Sequence, residues 1–358
     1  MSMNLTTKPD FQRCKEYMRA FWQHEIVDRP CVCVTAPKDG VKQQSEAPYL
    51  TGAVGDGDKA VAMTRAWARS TYFAGEAVPH FVPSFGPDQF AAFLGAPLTL
   101  QYEPLRTSWV KPILTDGCGT QKLELLQDGP FSLQAMAALV RRLTEEAGED
   151  YLVGMLDLHS NLDALSALRG PANLCMDILD NPEGVAADME ALRKFYIPIY
   201  EAVYEAGDMA RRGTVGWAPT YCEGKFAVVQ CDFMCMIGRE PMREFLLPAL
   251  EEETSYLDHC IYHYDGKEAL HHIDDILALP GIDVIQWVPG DGNPQSMHWM
   301  ELLHKIQKAG KGLWICDWNV EQIKQYHKEL QPEGVVYQTG AASQKEAEDL
   351  LEYLRKNT

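Results

Sequence analysis

Short apolar runs, separated by polar loops and helical stretches, recur along the whole chain. Continuous rather than alternating hydrophobicity is typical of parallel strands that are covered on both faces. Eight strands that alternate with helices predict an α/β fold, namely a (β/α)8 TIM barrel with its functional groups at the carboxyl ends of the strands. A doubly wound sheet is the alternative, but no glycine-rich phosphate loop follows the first run. The eight runs lie at residues 31–35, 77–82, 151–156, 214–217, 260–263, 284–288, 313–316 and 335–338.

Capping residues mark several of the helices between these runs. Asn181 supplies an N-cap and Pro182 a first helical residue before a long amphipathic stretch, and residues 343–356 predict a final amphipathic helix. The segment 86–150 between the second and third runs is long, and we expect it to form an extra hairpin or a cap over the barrel mouth, using the stretch 106–113. No linker divides the chain, so residues 1–358 are predicted to form a single domain.

The composition excludes several classes of function. The chain has 51 acidic and 32 basic residues and a formal charge of −19, which is the wrong sign for a broad nucleic-acid or anionic-lipid surface. No secretory signal is recognisable and no stretch reaches the roughly 18 apolar residues that span a bilayer, so we expect a cytoplasmic protein. The ten cysteines form no CxxC pair and are predicted to be mostly reduced core residues. P-loop, GxSxG and strand-end GxGxxG motifs are absent from the sequence.

Polar and aromatic residues stand just beyond the predicted strands. In a barrel these positions share one pocket, and we therefore expect them to contact the substrate. Their acidic, imidazole and aromatic character suits a metal or a neutral to cationic ligand better than a polyanion. The expected substrate contacts are Asp39, His80, Trp217, Tyr221, Asp232, Trp287 and Gln338.

The segment CIYHYDG offers the sharpest candidate metal site. His263 and Asp265 are two apart on a predicted strand and so share a face, while Gly266 lets the chain turn away. An imidazole and a carboxylate can bind zinc or iron, and Cys316 would be a third ligand from a later strand. The alternative is a histidine that a carboxylate holds in a polar pocket without metal.

The segment DLHSNLD offers a candidate proton-handling pair. Asp157 and His159 follow the third run, and a histidine beside carboxylates titrates near neutral pH. We expect these two residues to be catalytic. Asp163, nearby, could act with them or could cap a helix.

Five segments carry a family resemblance: Arg29-Pro30, GPDQFAAFLGAP, LDALSALRGPANLCMDILDNPE, QCDFMCMIGREPMREFLLPALEEE and HYDG. Together they resemble the uroporphyrinogen decarboxylase superfamily, which also includes the methylcobamide:thiol methyltransferases. The resemblance covers nearly the whole chain and implies a (β/α)8 barrel. In the methyltransferase branch, a His-x-Cys pair at a strand end and a later cysteine hold a zinc that lowers the pKa of a substrate thiol.

The sequence departs from the family patterns in the metal-ligand positions and in the loop after the first strand. His263 matches the histidine, Asp265 replaces the cysteine, and the last strand has Gln338 and Thr339 in place of the later cysteine. The decarboxylases have an arginine-rich loop after the first strand, whereas this loop reads APKDGVKQQSE. We expect a metal-assisted, methyltransferase-like enzyme for a small thiol or methylated compound, with zinc or another divalent metal and a corrinoid carried by a partner protein. The alternatives are a cofactor-free uroporphyrinogen decarboxylase and a barrel that binds a small molecule without converting it.

Overall fold

The computed structural model describes residues 3–53, 55–101 and 107–358. The described strands are β1 (Cys31–Pro37), β2 (Thr71–Gly75), β3 (His80–Phe81), β4 (Leu98–Gln101), β5 (Thr107–Val110), β6 (Leu152–Val153), β7 (Thr214–Val215), β8 (Tyr221–Cys222), β9 (Phe226–Gln230), β10 (His259–Asp265), β11 (Val284–Val288), β12 (Gly312–Ile315) and β13 (Val335–Gly340). The central sheet has seven strands in the order β2-β1-β13-β12-β11-β10-β9, and all neighbours are parallel except the antiparallel edge pair β1–β2. The fold is therefore mixed α/β with a mostly parallel sheet.

Helices follow most of the strands and cover the sheet. The described α-helical segments are Phe11–Trp22, Gly57–Ser70, Gln89–Phe93, Leu133–Ala147, Asn161–Arg169, Pro171–Asp180, Pro182–Ala206, Met209–Arg212, Arg239–Pro241, Leu247–Tyr256, Ile273–Leu277, Met300–Lys308, Val320–Tyr326 and Gln344–Asn357. A π-helical turn spans Met242–Leu246, and 3-10 turns span Asp232–Met236, Lys267–His272, Ser296–Trp299 and His327–Glu329. No helix in the described ranges is long and apolar enough to cross a membrane.

The predicted helix caps are present. Asn181 accepts a hydrogen bond from the Gly184 backbone N–H at 3.2 Å, and Pro182 is the first residue of the helix that follows. The final helix is capped by Ser343, whose hydroxyl accepts from the Glu346 N–H at 3.2 Å. These short polar side chains satisfy N–H groups that the first helical turn leaves without partners.

The strand prediction needs correction, because three of the eight apolar runs lie outside the central sheet. Five of the eight apolar runs lie in the central sheet, but the run at 214–217 forms only β7, which pairs antiparallel with β8 in a small hairpin. Its place beside β10 is taken by β9, whose five residues are all buried. The reason is that Gly216 and Pro219 interrupt the first segment, whereas FAVVQ can be buried on both faces without interruption.

The long segment after the second run contains the expected hairpin. Strands β4 and β5 pair antiparallel, with Leu98 opposite Val110 and Gln101 opposite Thr107. Arg106, where the predicted stretch 106–113 begins, lies outside the described residues. The second and third runs contribute β3 and β6, which form a separate short parallel pair. The Met155 N–H beyond β6 donates to the Val215 carbonyl at 2.7 Å, which joins this pair to the β7–β8 hairpin.

Alternate residues of the sheet enter two different hydrophobic clusters. Tyr262 and Ile285 join the large core beneath the outer helices, whereas Ile261 and Val284 join an inner cluster with the helix Phe11–Trp22. Because successive strand side chains point to opposite faces, every second residue beyond Ile261 and Val284 lies on the inner side. The inner face therefore ends in polar residues at the carboxyl edge of the sheet. The ten cysteines are all free thiols, as expected.

Candidate functional site

A histidine and two carboxylates meet at the carboxyl ends of β9 and β10. One donor atom each from Asp232, His263 and Asp265 can be chosen so that all three lie within 4.8 Å of one another. His263 and Asp265 are on the inner face of β10, and Asp232 begins the 3-10 turn that follows β9. Gly266, with φ of 81°, lets the chain leave the strand directly after Asp265. This group, hereafter the Asp232–His263–Asp265 cluster, has the donor types of a divalent-metal site.

Gln286 orients the imidazole of the cluster. The register of β10 and β11 places Gln286 beside His263, and its side-chain oxygen lies 2.5 Å from His263 Nδ1. Its amide nitrogen donates to the Cys316 sulfur at 3.1 Å, which fixes the oxygen toward the histidine. His263 Nδ1 is then the donor, and Nε2 keeps a free lone pair. A hydrogen bond of this kind sets the tautomer of most histidines that bind metals.

Asp265 carries the least satisfied polar atom of the cluster. Its Oδ1 is buried and has no hydrogen-bond partner. A carboxylate oxygen in that state costs free energy unless a cation or a donor is supplied. Asp265 accepts no hydrogen bond from His263, whose ring is held by Gln286 instead. The carboxylate is therefore available as a ligand.

A second histidine lies between carboxylates on the other side of Asp232. His159 Nε2 is 3.4 Å from Asp157 and Nδ1 is 3.5 Å from Asp163. Burial alone would lower the pKa of His159, but the two carboxylates reverse this and raise it well above its usual value. The protonated form of His159 is thus favoured. Asp163 accepts from the backbone N–H groups of Asp232 and Phe233 at 3.0 and 2.8 Å, so it also caps the turn that presents Asp232.

The pKa of Asp232 links the two histidines. Partial burial and the neighbouring Asp163 raise it, Asp265 adds to this effect, and the two histidines oppose it. His159, Asp163 and Asp232 also form a three-donor group within 4.8 Å, so Asp232 belongs to both groups. The positions expected from the sequence to be catalytic and metal-binding are therefore adjacent.

Cys316 lies apart from the cluster. In the part of the chain that the structure describes, the three-donor groups contain Asp232 rather than Cys316. Cys316 instead lines a cavity of about 600 Å³ beside the cluster and is held by Gln286. Burial raises the pKa of its thiol, and the hydrogen bond from Gln286 partly offsets this.

Three of the expected substrate contacts line the same cavity. They are His80, Trp217 and Gln338, and the last accepts a hydrogen bond from Trp314 Nε1 at 3.1 Å. The ring of Trp217 also packs edge-on against His263, with centroids 5.3 Å apart. The cavity and the cluster therefore share a wall.

Three other expected contacts lie elsewhere. Asp39 is exposed, and its backbone N–H donates to the Gln344 side chain. Tyr221 is buried with its hydroxyl donating to the Arg212 carbonyl. Trp287 is buried on the outer face of β11, because it is the neighbour of the inward-facing Gln286.

Sequence reasoning did not single out Trp314 and Glu46, although both line the cavity. Gln286 can be found from the sequence, because it is a polar residue inside the apolar strand VIQWV and an amide in a buried strand needs a partner. Trp314 could have been found from the alternation within β12. Glu46 lies in an irregular loop, for which no periodicity exists.

Comparisons with known proteins give a likeness to a solved structure. No protein-family model and no curated protein matches the chain. Among solved structures, a methyltransferase from Methanosarcina mazei is similar, with a TM-score of 0.62 over 96% of this chain and 98% of that chain, at 14% sequence identity. At this level of identity the likeness shows the fold alone.

Proposed function

We propose that this protein is a metal-dependent, methyltransferase-like enzyme whose metal is held by the Asp232–His263–Asp265 cluster. The observation that carries the proposal is the buried, unpartnered Oδ1 of Asp265, two residues from a histidine whose tautomer is already fixed. One imidazole and two carboxylates suit zinc, and equally iron(II), cobalt or manganese. This ligand set is harder than one containing Cys316, which the sequence favoured.

The metal, when bound, would supply the positive charge that lowers the pKa of a substrate thiol. The chain's own residues have separate tasks. Gln286 keeps His263 Nε2 free and in position, and His159 holds a proton between Asp157 and Asp163. That imidazolium offsets the charge of Asp232 and can donate to a leaving group.

The methyltransferase assignment also draws on the overall likeness. We propose that the β3–β6 pair and the six parallel strands of the central sheet, β1 and β9 to β13, complete one eight-stranded barrel of the uroporphyrinogen decarboxylase superfamily. The contact between them is made by Gln230 at the end of β9, which donates to Asp157 at 3.1 Å. The structure of the Methanosarcina mazei methyltransferase, similar over nearly the full chain, supports this choice. A corrinoid protein is the proposed methyl-carrying partner.

The decarboxylase alternative is less well supported. A porphyrinogen with many carboxylates requires basic side chains, yet none of the described residues that line the cavity is Lys or Arg. The non-catalytic alternative predicts ligand binding without turnover. Incubation of the metal-loaded protein with methylcobalamin and a set of small thiols, followed by mass spectrometry for the methyl thioether, distinguishes the proposed methyltransferase from a non-catalytic binding protein. Absence of thioether with every thiol would contradict the proposed activity.

Metal binding can be tested without knowledge of the substrate. Cobalt(II) titration of metal-free protein should give one site, with affinity reduced at least about tenfold in His263→Ala and Asp265→Ala and retained in Asp265→Cys. His259→Ala is the matched control, because His259 lies on the same strand but at its amino end, beside Asp283. Equal affinity in all four variants would exclude this site.

A further inference from the structure

The cavity beside the cluster combines aromatic walls with one charged side chain. Its volume is about 600 Å³, and among its described lining residues Glu46 is the sole Asp, Glu, Lys or Arg. We propose that this cavity binds a small methylated onium cation, a quaternary ammonium or a sulfonium, and that this cation is the methyl donor of the proposed reaction. The inference deepens the proposed function and rests on it for the transfer step, but the binding step stands on the cavity alone.

The aromatic rings of the lining face in several directions. Trp217 and Trp314 have centroids 5.1 Å apart with planes at 57°, and Trp67 and Phe73 are 5.1 Å apart with planes at 87°. All four rings line the cavity. The π-face of an aromatic ring attracts a cation, and an ammonium that carries methyl groups is recognised by rings set at angles to one another.

The charged residues of the cavity, like its aromatic rings, favour a cation as the ligand. Glu46 stands in the loop after β1, and the described lining contains no basic residue apart from the imidazole of His80. Burial raises the pKa of the Glu46 carboxyl, and His80 partly opposes this effect. A bound cation would favour the ionised carboxylate and so be attracted by it.

The position of the cavity suits a methyl donor. Trp217 lines it and contacts His263, with ring centroids 5.3 Å apart. Gln286 lines it as well and holds His263 Nδ1. Trp217 and Gln286 thus lie between a cation held by the rings and the Asp232–His263–Asp265 cluster, because both side chains line the cavity and contact His263.

The transfer step is balanced without an oxidant or a reductant. The sulfur of a substrate thiol forms a bond to the methyl carbon, the bond from that carbon to nitrogen or sulfur of the onium breaks, and the leaving group keeps the electron pair. The thiol proton ends on the released amine, or in solvent when a sulfide leaves. The net equation is the same whether the methyl group moves directly or by way of a corrinoid carrier.

Binding is tested on metal-free protein in the presence of a chelator, by calorimetry. The probes are choline and its neutral carbon isostere 3,3-dimethylbutan-1-ol, which has the same shape without the charge. We expect choline to bind at least about tenfold more tightly than the alcohol. Tetramethylammonium and trimethylsulfonium, compared in the same way, then identify which onium centre is preferred. Equal affinity for choline and the alcohol, or no binding of either, would overturn the proposal.

Variants distinguish choline binding in the cavity from attraction by the overall negative charge of the chain. Glu46→Gln should weaken choline binding about five- to tenfold and leave the alcohol unaffected, while Trp217→Leu should weaken choline by a similar factor and Trp217→Phe by less. Asp291→Asn is the control, since it removes an exposed carboxylate in the loop after β11 that does not line the cavity. An effect of Asp291→Asn as large as that of Glu46→Gln would attribute the binding to bulk charge and refute the site. Choline binding without thioether formation would refute the proposed function but not the cation site. Thioether formation without choline binding would refute the cation site but not the proposed function.

Discussion

Neutralising Asp265 should stabilise the protein without metal and weaken its response to metal. In metal-free protein Oδ1 of Asp265 is buried without a partner, and the nearby Asp232 carboxylate adds repulsion. Removal of this buried negative charge is worth about 1–2 kcal/mol, so Asp265→Asn should be more stable by that amount. For 358 residues at about 2.1 cal/mol/K each, this corresponds to a Tm rise of roughly 1–3 °C.

Addition of metal should stabilise the wild type more than it stabilises Asp265→Asn. At a metal concentration of about 100 times Kd the wild type gains about 2.7 kcal/mol. A variant that has lost one ligand and about tenfold in affinity gains only about half of that at the same concentration. The metal-induced rise in Tm of Asp265→Asn should therefore be halved or less.

Thermal unfolding with a chelator and with zinc or cobalt measures both effects. Asp283→Asn is the control, because Asp283 is satisfied: it accepts from the Cys260 N–H at 2.8 Å and faces His259 at 3.4 Å. This variant should be destabilised by about 1 kcal/mol in either condition and keep the full metal response. A destabilised Asp265→Asn in the chelator, or an unchanged metal response, would refute the assignment of Asp265.

Three further perturbations test His159, Gln286 and a buried ion pair elsewhere in the fold. Burial lowers the pKa of His159, but its two carboxylate neighbours raise it by more, so the pKa is higher in the folded state than in the unfolded state. The stabilisation by the imidazolium is therefore complete below the unfolded pKa of about 6.5 and is lost as pH rises through the folded pKa. The stability difference between wild type and His159→Gln should shrink on the alkaline side, and a constant difference would contradict this. Gln286→Leu should lower cobalt affinity by about 10- to 100-fold and slow alkylation of Cys316, whose thiol loses its donor; unchanged values would show that Gln286 is only packing. Arg29→Met and Glu76→Leu, which break a buried bidentate pair, should each cost about 3–5 kcal/mol in urea unfolding, and the double variant less than their sum; additive losses would disprove the coupling.

The sequence predicted most of the sheet because buried strands carry their own signal. Continuous apolar runs located β1, β10, β11, β12 and β13, and their register follows once the strands are parallel neighbours. The run at 214–217 was misassigned because apolarity alone does not distinguish a sheet strand from one arm of a short hairpin. Length was the better criterion, since β9 has five buried residues and β7 has two.

Candidate residues were predicted best where the two-residue strand repeat applied. His263 and Asp265 come from one strand and meet on its inner face. Trp287 failed to reach the cavity because a position beyond a strand end does not by itself specify the face. The pairing of Asp232 with His263 could not be predicted, because it depends on a 3-10 turn whose cap, Asp163, comes from a distant part of the chain.

The arrangement at the carboxyl edge is explained better by ligand binding than by folding. Elsewhere the inner face of the sheet is apolar, and the buried guanidinium of Arg29 has its counter-charge in Glu76, which it contacts through two hydrogen bonds. At this edge Asp265 keeps an unsatisfied oxygen, and Asp232 has a raised pKa beside other carboxylates. Each feature costs stability in the metal-free chain, and each is relieved by one bound cation at the same point. Because unfavourable polar environments accumulate where a protein binds or reacts, this edge is where a divalent metal and its substrate should meet.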